Sequence, residues 1–133
     1  MPTTTINAEP GYNSEVIVLT SAARAVAQAY DSAEYFNHSG QGILVIIKVS
    51  AVTASPSVVV TIQGKDPASG KFYTLATRTA IITTGTYQLK MYPHAVAVAG
   101  TVVRDFLPQQ FKIVCTHGDT DSATYSVGMV LMR

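Results

Sequence analysis

The sequence predicts an all-β protein: an antiparallel β-sandwich of about eight strands, jelly-roll or Greek-key like, with an extended N-terminal arm. Three observations predict it. Val58, Val60 and Ile62 alternate with Val59, Thr61 and Gln63, the period of two that places one strand face in a core. Turn-forming residues, among them Asp66-Pro67, Ser69-Gly70 and Gly118-Asp119, recur at short intervals between such runs. Threonine, serine and valine are abundant, which favours strands over helices.

In chain order, Met1–Ser14 is polar and aperiodic and holds two prolines and a glycine, which makes it an arm ahead of a single domain at 15–133. Glu15–Thr20 reads as a short strand. Ser21–Tyr35 is ambiguous: Ala22, Ala25, Val26 and Ala29 would make a helical stripe, yet the alanines also alternate with Arg24, Val26 and Gln28. Without a stop signal after Thr20, a strand with an irregular continuation is the preferred reading.

Phe36–Gln41 is a loop, and Gly42–Thr53 is the most apolar strand. Its inner face is Ile43, Val45, Ile47, Val49 and Ala51, while Leu44 and Ile46 make half of its other face apolar, as in a strand at the middle of a sheet. Ser57–Leu75 is a hairpin around Gly64–Lys71, with Tyr73 and Leu75 expected inside. A second hairpin is expected from Arg78–Ile82 and Thr86–Tyr92 across Thr83–Gly85. Pro93–Gln110 is a long excursion packed over a sheet edge or a sandwich end. Phe111–His117 places Phe111, Ile113 and Cys115 on one face. Ser122–Met132 closes the chain with Ala123, Tyr125, Val127, Met129 and Leu131 inward.

Composition narrows the function. At 133 residues the chain is long enough to bury a core without disulfides. Its net charge of +1 gives no broad footprint for nucleic acid or anionic lipid. The single cysteine, Cys115, supplies neither a disulfide nor a metal-binding pair. The longest apolar run, Gly42–Val52, is interrupted by Lys48 and is too short to span a bilayer. Met1–Asn7 lacks a basic and apolar leader, so synthesis and retention in a cytoplasm are expected until assembly or release. Charged residues make up only 13%, about half the usual share. A surface so poor in charge suits a subunit that covers itself with partners.

No residue pattern marks a catalytic, cofactor or metal site. His117, Asp119 and Asp121 are ligand-type residues, but aspartates in tight turns bond to nearby backbone amides, and the further ligands of a calcium loop are missing. His117, Asp119 and Ser122 crowd one turn and cannot line up as a triad. Gly64–Lys71 has the wrong spacing for a phosphate loop. Cys115 alternates with core residues and reads as a small buried hydrophobe.

From Ser57 onward the chain resembles a family of small structural proteins of tailed bacteriophages and prophages. The resemblance rests on Ser57–Asp66, Ser69–Leu75, Thr84-Gly85-Thr86, Asp105-Phe106-Leu107-Pro108, Thr116–Asp119 and Thr124–Gly128, with a looser match through Ala22-Ala23-Arg24. It implies a non-enzymatic virion protein: a head decoration or cement protein on the outside of the major capsid shell, also binding copies of itself, with a trimer expected. A neck, tail or fibre subunit is the alternative, and a jelly-roll carbohydrate-binding module a more distant one. No cofactor, nucleic acid, membrane or small-molecule substrate is expected. The departures lie in the arm and in Ala22–Ala33, which would make the shell contacts. Candidate interface residues are Thr3, Thr4, Thr5, Ile6 and Tyr12 in the arm, and Tyr30, Tyr35, Phe36 and His38 in the following loop. His94, Val96, Val98 and Val102 in the excursion complete the set.

Overall fold

A computed structural model describes residues 14–37 and 40–132. The arm residues before 14, which include Thr3, Thr4, Thr5, Ile6 and Tyr12, and His38 in the loop, lie outside the described residues. The described chain is all strand, turn and bend: β1 (Ser14–Arg24), β2 (Ala29–Asp31), β3 (Tyr35–Phe36), β4 (Gly42–Val52), β5 (Val58–Lys65), β6 (Phe72–Thr77), β7 (Gly85–Tyr92), β8 (Val102–Arg104), β9 (Gln110–His117) and β10 (Ala123–Met132). They form two sheets. The first runs β1-β10-β4-β7-β8 and the second β2-β9-β5-β6, with β3 also on β9. All pairs are antiparallel except β7 with β8.

The inner faces follow the alternation. Val58, Val60 and Ile62 of β5 meet Phe111, Ile113 and Cys115 of β9 across from Ile43, Val45 and Ile47 of β4 and the odd-numbered residues of β10, all buried in one core. The alanine-rich segment is strand, as preferred: β1 runs on to Arg24, and β2 follows on the other sheet. As its two apolar faces suggested, β4 is the middle strand of its sheet.

The hairpin at Gly64–Lys71 forms as expected. Asp66 donates its amide to the Lys71 carbonyl at 2.8 Å and accepts from Gly70 at 2.8 Å, with Gly70 in the left-handed region at φ 73°. The Asp66 carboxylate accepts from the Ser69 hydroxyl and the Ala68 amide, and these bonds hold it below the usual carboxylate range.

Four expectations are corrected. Two of them concern β-bulges, where one extra residue shifts the inward phase. On β4, Val49 pairs with Tyr125 but Ala51 with Thr124, so Ser50 is the extra residue and exposed Ala51 gives its inward place to half-buried Val52. On β6, Ile62 pairs with Ala76 and Gln63 with Thr74, so Leu75 is extra: it packs half-buried against the core, and Ala76 takes the fully buried place. Tyr73 lies opposite Gly64, close enough that a Cβ on that glycine would come within 2.9 Å of its ring, and it stays 46% exposed. The fourth is the second hairpin, which does not form. Ile81 exchanges backbone bonds with Val58 at 2.8 and 3.0 Å and so extends the second sheet, while β7 pairs with β4 in the first. Thr83–Gly85 is therefore a corner between the sheets, closed by the Tyr87 hydroxyl on the Thr83 carbonyl at 3.0 Å.

The excursion packs on a sheet edge. β8 extends the first sheet beside β7, and Gly100, at φ 76°, brings its carbonyl onto the Thr79 amide at 3.0 Å. A Cβ at Gly100 would lie 1.9 Å from Thr79 Oγ1, so only glycine fits this approach.

Candidate interaction surface

The chemistry-bearing side chains gather inside the molecule. At the end where β1 crosses to β2, Arg24, Tyr30, Cys115, His117 and Tyr125 share one corner. Arg24 is buried, and its guanidinium donates to three carbonyls: Tyr125 at 2.7 Å, Thr20 at 2.9 Å and Ala22 at 3.1 Å. It stacks 4.6 Å from the Tyr125 ring centroid and 5.8 Å from that of Tyr30. His117 Nε2 lies 2.7 Å from the Tyr125 hydroxyl, and the Tyr30 ring meets the imidazole edge-on at 5.0 Å.

The protonation of this corner follows from its burial. His117 Nδ1 is buried without a hydrogen-bond partner. A hydrogen there would be an orphaned buried donor, so the proton belongs on Nε2, which donates to Tyr125 Oη. The Tyr125 hydroxyl in turn bonds to the Cys115 thiol. Burial pushes that thiol up to about 12, with Arg24 and the Tyr125 bond opposing, so Cys115 stays protonated and unreactive. Burial also raises the Tyr125 and Tyr35 phenols.

Burial, reinforced by the Arg24 charge and opposed by Asp119, lowers the His117 pKa below its ordinary 6.5. The unfolded chain then binds more protons than the folded one in acid. The stability held by neutral His117 is whole above pH 6.5 and is lost as pH falls from 6.5 through the lower folded value. The urea midpoint is expected to fall between pH 7.5 and pH 5.5 in the natural chain and to fall less in His117→Gln. Equal falls in both would remove His117 as the cause.

His117 turns inward to Tyr125 and makes no hydrogen bond to Asp119 or Asp121. Those aspartates serve the turn: Asp119 Oδ1 accepts the Asp121 amide at 3.1 Å, and Asp121 Oδ2 accepts the Ser55 amide at 3.2 Å. Among the described residues no three histidine, cysteine or acidic groups converge as metal ligands.

The predicted interface residues separate into groups. Tyr35 is in the core at 2% exposure, its ring 5.5 Å from that of Phe111, and therefore is not a surface contact. Tyr30 and Phe36 are half-buried, on β2 and β3 along β9. The excursion carries the exposed set: His94 is exposed, Val96 is 83% and Val98 51% exposed, and Val102 is half-buried on β8.

Sequence reasoning missed other exposed apolar side chains. Ile17 on β1 is 71% exposed, Ile82 56% and Phe106 63%. In the sequence they are indistinguishable from core residues. The outer face of the first sheet was partly legible, since Leu44 and Ile46 stood out as a second apolar face. Pairing adds Ile17, Gly128 and Val130 to them. One cross-strand row is Glu15, Val130, Leu44 and Lys90, and the next is Ile17, Gly128, Ile46 and Gln88. A shallow recess of about 340 Å³ opens beside Gly128, lined by Ile17, Ile46 and Val130. No protein-family model and no curated protein matches this chain.

Proposed function

We propose that the chain is a non-enzymatic virion structural protein, a decoration or cement subunit that binds the outer surface of a major capsid protein shell and stabilises it. The observation that carries this reading is the exposure of Ile17, Ile82, Val96, Val98 and Phe106, each more than half exposed on a chain with only 13% charged residues. A surface of this kind gains about 25 cal/mol for each Å² of apolar area removed from water, whereas a free monomer gains nothing from it. The resemblance of Ser57–Gly128 to tailed-phage structural proteins supplies the particle. Val96 and Val98, on the excursion at the sheet edge, suit contact with a shell subunit, because they project from a segment pinned at Gly100 and Thr79.

The test is binding to empty expanded shells. The natural chain should co-sediment in hundreds of copies per particle and raise shell resistance to heat. Val96→Asp with Val98→Asp should cut binding at least about tenfold while leaving the fold intact, since both residues face solvent. Shells that carry no copies and keep their robustness without the protein would reject the reading. About a dozen copies per particle would place it at a neck or tail instead.

A further inference from the structure

We infer that the outer face of the first sheet docks a second copy of this chain, face to face, about a twofold axis that runs parallel to the strands between β10 and β4. This deepens the subunit reading above by naming one partner.

The face is self-complementary in charge and shape. Four of its five strands stand in the order β1, β10, β4 and β7, so a twofold axis between β10 and β4 exchanges β1 with β7 and β10 with β4. In the row Glu15, Val130, Leu44 and Lys90, the exchange sets Glu15 of one copy over Lys90 of the other and Val130 over Leu44. The sole acidic member of the row meets the sole basic one, twice over by symmetry.

In the next row, Ile17 meets Gln88, and Ile46 of each copy meets Gly128 of the other. Gly128 leaves the recess beside Ile17, and Ile46 is the side chain that fills it. The opening is not required by the chain's own packing, because a Cβ at Gly128 would touch only the Val16 carbonyl, at an ordinary 3.8 Å. Lys48, one row further on beside Ser126, is exposed and bounds the apolar patch. Twisted sheets stack in this way with strands within about 30° of each other.

The area sets the strength. The four overlaid strands at about 4.8 Å and six residues at about 3.4 Å give a face of roughly 400 Å² per copy, or about 800 Å² in the pair. That is below the size of standard stable interfaces, so the isolated dimer is weak and gains from neighbouring attachments on a larger assembly.

Charge reversal in the full purified chain tests the inference, read by sedimentation equilibrium up to about 100 μM, a range that captures micromolar association. The natural chain should show reversible dimers. Glu15→Lys alone and Lys90→Glu alone should each weaken dimerisation at least about tenfold, and the double variant should restore it. Rescue within one chain is excluded, because Glu15 and Lys90 stand three strand spacings apart, about 14 Å. A monomer at 100 μM overturns the inference, as does a dimer indifferent to both reversals or a double variant that stays dissociated. None of these outcomes bears on shell binding, which is measured separately on particles.

Discussion

Phe111→Ala is expected to destabilise the fold by about 3–5 kcal/mol, the range for removing a buried aromatic ring. Phe111 is fully buried on β9 and sits between two neighbours that cannot refill its space. On one side is Tyr35, whose ring is already packed at 5.5 Å and tilted by 33°. On the other is Gly64, which has no side chain to lean in. The cavity would therefore persist, and its cost adds to the lost transfer of the ring out of water. Urea denaturation followed by far-ultraviolet circular dichroism measures the loss. Thr116→Ala, on the exposed side of the same strand, should change stability by less than about 0.5 kcal/mol. A loss below about 1.5 kcal/mol for Phe111→Ala would mean that the site collapses and that β3 is free to close on β9.

Arg24→Ala comes next, at about 3 kcal/mol. The guanidinium satisfies the carbonyls of Thr20, Ala22 and Tyr125, and hydrogen bonds from a charged donor are worth about 1.5–3 kcal/mol each before solvent replaces any of them. Water can reach the partly buried Thr20 and Ala22 carbonyls once the side chain is gone. It cannot as readily reach that of Tyr125, whose bond to Arg24 is buried, so the net loss centres on that contact and on stacking over the Tyr125 ring. Arg24→Lys should recover less than half, because an ammonium lacks the planar fork that reaches several carbonyls at once. Full recovery by lysine would show that the charge alone matters.

The sequence made legible those strands whose inward residues alternate without interruption. β5, β9 and β10 matched residue by residue, and the two apolar faces of β4 placed it mid-sheet. The failures at Ala51 and Leu75 share one cause. Alternation counts residues, and an inserted Ser50 or Leu75 changes the count without leaving a compositional mark. The hairpin expected from Arg78–Ile82 and Thr86–Tyr92 failed for a different reason. Local turn residues permit a hairpin there, but Ile81 finds a better partner in Val58, far back in the chain. For the surface, exposed Val96 and Val98 lay in a segment without strand periodicity and were named in advance. Ile17, Ile82 and Phe106 were not, since an aliphatic or aromatic residue reads as core until its neighbours are known. Arg24 hid in the opposite way: a basic residue inside an alanine run reads as solvent-facing, and only the fold shows the carbonyls that draw it in.

The position of β10 governs when this molecule can come into being. β10, which follows the other described strands in sequence, is wedged between β1 and β4, so a nascent chain still lacking Ala123–Met132 has nothing to join the two. Until β10 emerges, the aliphatic flanks of both strands stand bare and open to wrong pairing. Closure then requires contacts across nearly the whole polypeptide, from Ser14 to Leu131, which places folding among the slow, non-local cases of milliseconds to seconds. A chain cut short before Ala123 would leave the first sheet split, with nothing to bridge β1 and β4.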